Sequence, residues 1–140
     1  MTDSPRTGFA LVLSILAVVL VGALIIATHV AMTLEHTVSS AATRRQRAFA
    51  ASELALWTSV AQWDGANAAL QPGESRAIII AGPVDSATVT TVRLNERLYW
   101  VVADAVVEDA RRRTAVNVRT LGDSGGGGVE PVRRSWMELH

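Results

Sequence analysis

The sequence lacks cysteine altogether and has little proline. Without cysteine the chain cannot carry a disulfide framework, a cysteine-based zinc site or a lipid-modified cysteine. Residues 35–63 contain no proline, which leaves a long helix uninterrupted there. Charge of one sign is not in excess either, since 13 basic residues balance 13 acidic ones. Bulk charge therefore does not point to a nucleic-acid partner, and a chain of 140 residues has room for one domain.

What the sequence does contain is a long apolar run near its N terminus. From Phe9 to Met32, about 24 residues, no Asp, Glu, Lys or Arg occurs. About 20 apolar residues cross the hydrocarbon core of a bilayer as a helix, which satisfies its own backbone hydrogen bonds. We therefore predict a transmembrane helix segment at residues 9–34. The run is longer than the apolar core of a cleaved signal peptide, and the small-residue stretch Ser40-Ala41-Ala42 lies well beyond its end.

The helix is predicted to continue past the apolar run as an amphipathic segment over residues 35–63. This segment is rich in alanine, which favours helix, and Asp64-Gly65 supplies a stop signal. Larger apolar residues recur at intervals of three, four or seven, which predicts one face that packs on the rest of the chain. The residues assigned to this packing face are Phe49, Leu56, Val60 and Trp63, with Glu53 beside them and Leu54, Trp57 and Ala61 widening it.

Residues 64–140, called the head below, have the pattern of an antiparallel sheet. Four β-like runs are joined by short connections, which favour a meander over the last three strands. The expected fold class is α+β: a lollipop in which the long helix packs on a small antiparallel sheet of about four strands. A flexible glycine-rich loop at 125–128 and a C-terminal tail complete the head. The four runs are Ser75–Ala81, Ala87–Leu94, Leu98–Val107 and Arg113–Leu121.

No catalytic, cofactor-binding or metal site is predicted, and the chain is not expected to be an enzyme. His29 lies within the apolar run, His36 lies just beyond it, and His140 is terminal; no nucleophile motif or metal-ligand spacing occurs. Glu108-Asp109 near Asp104 is interpreted as a solvated hairpin turn in preference to a calcium site, and the arginine clusters as solvated charge. The four tryptophans are assigned to the core between helix and sheet. The tail residues Trp136, Met137 and Leu139 are expected to dock on the sheet or to contact a neighbour.

Two separated stretches carry a resemblance to a known family. The first is "RTGFALVLSILAVVL" at residues 6–20, and the second is "AFAASELAL" at residues 48–56. Together they resemble the type IV pilin superfamily, and within it the PilX-type minor pilins, whose second segment reads AFxAAExAL; here Ser52 replaces the usual alanine. The resemblance implies that residues 1–8 are a leader, that a prepilin peptidase cleaves after Gly8, and that the new N-terminal Phe9 is N-methylated. It covers roughly residues 6–57.

One departure from the family pattern concerns the fifth residue counted from Phe9. Major pilins have glutamate there, whereas this chain has Leu13. A carboxylate in lipid is costly unless it is paired, and in the family the absence of this glutamate is typical of some minor components. The resemblance therefore implies a minor subunit that primes a type IV pilus-like filament or sits at its tip. Gly22 is expected to allow close approach of a neighbouring helix.

The resemblance also implies location and partners. Charge alone leaves the orientation open, because arginines lie on both sides of the apolar run. In the family, residues 1–8 would be cytoplasmic and the head outside the cytoplasmic (inner) membrane, later in a surface or periplasmic filament. The implied partners are the prepilin peptidase, other major and minor pilins or pseudopilins, and membrane lipid before assembly; no cofactor and no small-molecule substrate are implied.

Two other functions remain open from the sequence. The chain is also compatible with a minor pseudopilin of a type II secretion system. A third reading is a signal-anchored envelope domain that binds a partner and never enters a filament.

Overall fold

A computed structural model describes residues 5–82, 85–121 and 128–139 of the chain. Its elements follow in the order α1, α2 and β1 to β6, so one long helix precedes a sheet. The chain divides between Ser40 and Ala41 into two units. In the second unit the C-terminal part of the helix packs on an antiparallel sheet, which confirms the predicted α+β class.

Helix α1 spans Pro5–Ala61, so the predicted transmembrane and amphipathic segments belong to one unbroken element of 57 residues. It ends before the predicted Trp63 because Asp64 is the N-terminal cap of a second, short helix. The backbone of Asp64 is extended, and its side chain accepts a hydrogen bond from the backbone N–H of Asn67. Asp64 thereby caps α2, a single helical turn at Gly65–Ala68.

Within the described residues, six strands form one antiparallel sheet. The order is β1-β2-β3-β4-β5. Strand β6 also pairs with β4, at residues 113–115, whereas β5 pairs with residues 118–120. Core-facing positions align across the sheet: Val101 of β3 lies opposite Thr91 of β2 and Val116 of β4. The strands are β1 Ser75–Ala81, β2 Ser86–Arg93, β3 Leu98–Val107, β4 Ala110–Thr120, β5 Val129–Pro131 and β6 Met137–Leu139.

The sheet is larger than the four strands predicted, for two reasons. The predicted tail returns to β4 twice, as the three-residue strands β5 and β6. In addition β4 begins at Ala110, three residues before the predicted start, because the connection from β3 is only Glu108-Asp109. Glu108 takes the left-handed conformation, with φ of 54°, that such a tight turn requires. Of the predicted glycine-rich loop, residues 125–127 lie outside the described residues.

The core lies between one face of the sheet and the second part of α1. The side chains of β3 alternate cleanly between buried and partly exposed, as expected for a strand with one face on a core. Tyr99 and Val101 are the large buried residues of this strand, and Leu56 of α1 is fully buried with them. Several other core members are alanines, namely Ala55, Ala87, Ala103 and Ala105.

Candidate functional site

The first feature with functional meaning is the apolar part of α1. Its residues 9–39 are exposed, apart from half-buried Gly22. Side chains of this size and polarity are normally removed from water, yet here Leu20 and Ile26 are 62% and 67% exposed. The helix is long and apolar enough to cross a membrane, a criterion that a signal sequence near the N terminus also meets.

The residues that the sequence assigns to processing and assembly all lie on this part of α1. Gly8 and Phe9 belong to its first turns, and the Phe9 side chain is 70% exposed. Leu13, which the resemblance equates with the glutamate position of major pilins, is 50% exposed. Among the described residues, a Cβ atom added at Gly22 would meet no packing neighbour within 4 Å. A glycine inside a helix costs about 1 kcal/mol of helix stability relative to alanine. Packing within the described residues does not explain why glycine occurs at position 22.

The second part of α1 is fixed to the sheet by a seam of small residues. Ala48, Ser52, Ala55 and Ser59 are all buried and recur at intervals of four, three and four. That spacing keeps them on one side of a helix. All four side chains are small, as are those of Ala87, Ala103 and Ala105 of β2 and β3 in the core cluster. We call these four residues the alanine–serine seam.

The five residues predicted for the packing face are placed unequally. Leu56 is fully buried, and Val60 and Trp63 are half-buried against the core cluster. The Trp63 ring meets the Tyr99 ring edge to face, with 5.0 Å between centroids. Phe49 and Glu53 are also half-buried. The structure therefore brings Leu56, Val60 and Trp63 together as predicted.

The widening of that face by Leu54, Trp57 and Ala61 is wrong. Leu54 is 51% and Trp57 41% exposed, and Ala61 is exposed too. Each residue of an α-helix turns by about 100°, so Trp57 lies about 160° around the axis from Ser59 in the seam. The sequence interpretation followed the larger apolar side chains, whereas the buried side is marked by alanine and serine.

The tryptophans are also more dispersed than expected. Only Trp63 packs between helix and sheet. Trp100 alternates with buried Tyr99 and Val101 on β3 and so lies on the opposite face of the sheet. Trp136 is 42% exposed and stands edge-on to Phe49, with 6.3 Å between ring centroids. The tail therefore docks back, as one of the two predicted alternatives required, through Trp136 and strand β6.

An ion pair joins the helix to the hairpin turn between β3 and β4. The Arg44 Nε atom lies 2.8 Å from Asp109 Oδ1 and 3.5 Å from Glu108 Oε2. Both acids are mostly exposed, so each contact adds little stability. The turn carboxylates are thus partners of a helix arginine, which the sequence interpretation did not foresee.

Asp104 is held between two arginines of β4, on the face of the sheet away from the helix. Arg113 donates to Asp104 Oδ2 from Nη2 at 2.8 Å, and Arg111 donates to Oδ1 from Nε at 2.8 Å. The hydrogen bonds from Arg111, assisted by Arg113, lower the pKa of Asp104 from its ordinary value, while partial burial opposes the shift. The neighbouring Arg112 pairs with Glu138 of β6 at 3.0 Å. These three arginines are therefore paired charges and not purely solvated ones.

A shallow apolar groove of about 320 Å³ lies between α1 and the β1–β2 end of the sheet. Ala50 and Leu54 line it from the helix, and Ile80 and Gly82 from the sheet. Gly82 must be glycine, because a Cβ atom there would lie 2.5 Å from the carbonyl oxygen of Asp85. The backbone N–H of Gly82 donates to that same carbonyl at 2.8 Å.

Within residues 5–82, 85–121 and 128–139, no group of three or more His, Asp or Glu side chains is arranged to hold a metal ion. The chain matches no family model, no curated protein and no solved structure. Its function is therefore argued from its own residues.

Proposed function

We propose that this protein is a minor pilin that primes assembly of a type IV pilus-like filament or sits at its tip. The observation that carries the proposal is the helix α1. It joins a bare apolar stretch, suited to lipid or to other helices, with a stretch that anchors it to an antiparallel sheet. A filament subunit needs both: a part that partner helices can cover and a folded head that is carried along with it. The role is structural and involves no catalysis.

The processing step rests on Gly8 and Phe9. Pro5–Gly8 form the first turn of α1, and terminal turns of helices fray readily because their N–H groups have no partner within the helix. A peptidase that cuts after Gly8 therefore needs to unwind only that turn. The product would begin with Phe9 and keep the whole apolar stretch, which distinguishes prepilin processing from removal of a signal peptide.

The minor role rests on Leu13. A glutamate at this position would be a charge on the bare apolar part of the helix and would require a partner from a neighbouring subunit. Leu13 has no such requirement. Gly22 supports close contacts with a neighbouring helix, since it costs helix stability and no packing contact within the described residues calls for glycine there. The subunit would reside in the cytoplasmic membrane with its head outside, and later in the filament.

The N-terminal residue of the native membrane-associated protein tests the proposal. Peptide mass spectrometry should find N-methylated Phe9 as the first residue. In the variant Gly8→Val the precursor should persist, because the added side chain blocks the residue preceding the cut. Gly22→Val is the matched control: it changes a glycine of the same helix and should be processed normally.

Three results would overturn the proposal. An intact leader in cells with an active prepilin peptidase would favour the signal-anchored domain. An N terminus beyond Ser40 would mean that the apolar run is only a secretion signal. If the protein proved to be the most abundant filament subunit, the minor role inferred from Leu13 would fail.

A further inference from the structure

Strand β1 is an unprotected edge of the sheet. It pairs with β2 on one side, and no strand in the described part of the chain pairs with its other side. Exposed and half-buried residues alternate along it. Ile79, at its centre, is 77% exposed, more than any other large apolar side chain among the described residues.

This edge lacks the features by which proteins usually prevent strand pairing. Edge strands are normally short, bulged, or protected by proline or by charge, lysine above all. Strand β1 has seven residues, Ser75–Ala81, with no proline and one charged residue, Arg76. That charge is already compensated, since Arg76 Nη1 lies 2.7 Å from Asp64 Oδ2. An edge with one compensated charge and an isoleucine exposed at its centre is suited to adding another strand.

The sequence of β1 indicates what that strand is. Residues 77–81 read Ala-Ile-Ile-Ile-Ala, which is the same in both directions about Ile79. Two antiparallel copies related by a twofold axis at Ile79 would place alanine opposite alanine and isoleucine opposite isoleucine. A symmetric dimer requires such a self-complementary surface.

The backbone directions agree with this pairing. The N–H of Gly82 donates to the carbonyl of Asp85, and the N–H of Arg93 donates to the carbonyl of Glu74, so even-numbered positions turn toward β2. Backbone groups alternate in direction along an antiparallel strand. Ala77, Ile79 and Ala81 therefore direct their N–H and C=O groups to the free edge.

We propose that β1 pairs antiparallel with β1 of a second copy, in the register that sets Ile79 opposite Ile79 of the second copy. The sheets of two heads then continue into one another. The three hydrogen-bonded pairs in this register join Ala77 to Ala81, Ile79 to Ile79 and Ala81 to Ala77 of the second copy. Each pair forms two backbone hydrogen bonds, so the interface gains about six hydrogen bonds. The pairing concerns the head alone and does not depend on whether the protein enters a filament.

Disulfide formation tests this register, because the natural chain has no cysteine. Residues facing each other in a hydrogen-bonded pair have Cα atoms about 5.5 Å apart, a distance that a disulfide spans. The full-length variant Ile79→Cys, in isolated membranes under mild oxidation, should give a covalent dimer several-fold more abundant than the control Val106→Cys. Val106 is a matched control because it is 55% exposed, apolar and on the same sheet face, but belongs to interior strand β3.

A second pair of variants fixes the direction of the strands. Ala77→Cys alone and Ala81→Cys alone should not cross-link, because four residues separate the equivalent positions by about 13 Å. Tagged copies of the two variants made in one cell should cross-link to each other. Adding Ile79→Lys to both should abolish that product, since two ammonium groups would then face each other; an exposed side chain can be changed in this way without unfolding the head.

Equal dimer yields from Ile79→Cys and Val106→Cys would mean random collision and would overturn the proposal. So would a dimer of Ala77→Cys alone, which requires another register, or a mixed disulfide between Ile79→Cys and a different protein. The N-terminal residue of the same membrane preparation is determined in parallel. A cross-linked dimer with an intact leader would refute the pilin proposal and keep this one, and a processed monomer would do the reverse.

Discussion

The two parts of helix α1 have the same secondary structure and opposite surroundings. Residues 9–39 carry large aliphatic side chains that no described part of the chain covers, whereas the buried side of residues 41–61 consists mainly of alanine and serine. Hydrophobicity alone therefore does not tell which part of a helix packs on its own chain. The more apolar part is the exposed one, and the part that packs on the sheet does so mainly through small residues.

The largest expected effect is on the packed part. Leu56→Ala removes a fully buried side chain and should lower the free energy of unfolding by about 2–5 kcal/mol. Leu54→Ala, two residues away and 51% exposed, should change it by less than about 0.5 kcal/mol. Denaturant unfolding of the full chain in mild detergent, followed by tryptophan fluorescence, measures both. Equal losses would show that the helix face has been assigned wrongly.

The next largest effect is expected on the membrane insertion of the apolar part of α1. Leu20→Arg places a charge in the middle of the apolar stretch and should cost about 3 kcal/mol of membrane insertion. Leu54→Arg introduces the same charge at a leucine of similar exposure, outside that stretch, and should leave insertion unchanged. Alkaline extraction of membranes separates the inserted from the released protein. Retention of Leu20→Arg in the membrane at the wild-type level would contradict a spanning role for residues 9–34.

A smaller effect is expected on the sheet, at Asp104. Its carboxylate is stabilised by Arg111 and Arg113, so its pKa is below the ordinary value of 3.8. A group with a lowered pKa stabilises the fold above its ordinary pKa, and that contribution is lost as the pH falls through the lowered value. Asp104→Asn should cost about 1 kcal/mol at pH 7.

The pH dependence provides the control for this variant. Asp64, whose pKa is lowered by its hydrogen bond with Arg76, titrates in the same direction in both proteins. The difference in unfolding midpoint between wild type and Asp104→Asn therefore isolates Asp104, and it should shrink below about pH 4. A difference that stays constant from pH 7 to pH 3 would contradict the assigned role.

The smallest effect is expected at the contact between helix and turn. Arg44→Gln removes the ion pair with Asp109, which is largely exposed, and should cost less than about 1 kcal/mol. The loss should decrease at 1 M salt because the charges are screened. Arg45→Gln alters the next, exposed arginine and serves as the control. If both variants behaved alike at low salt, the ion pair would contribute nothing specific.

Much of the fold could be predicted from the sequence where the pattern is strong. Strands β1 and β3 have the predicted limits because they are apolar, β-branched runs bounded by polar turns. Strands β5 and β6 could not be predicted, since three residues are too few to establish an alternation. The buried side of the helix differs from the predicted packing face because it consists mainly of alanine and serine. These small residues do not stand out in a pattern of large apolar side chains.

The candidate site divides in the same way. The position of Leu56 follows from helical spacing, and the structure confirms it, whereas Trp63 joins the core from just beyond the end of α1. The pairing of Asp104 with two arginines depends on strand register, which a single sequence does not reveal. The roles of Gly8, Phe9 and Leu13 rest on resemblance and stay predictions.

The alanine–serine seam has a further consequence for conformational entropy. Alanine has no side-chain rotamers to lose when it is buried, and serine has few, whereas a long side chain forfeits up to about 2 kcal/mol of rotamer freedom. Docking the helix on the sheet along Ala48, Ser52, Ala55 and Ser59 therefore orders very little that was free before. A seam of this kind can hold the helix in one position even though its own small side chains bury only a modest amount of apolar surface.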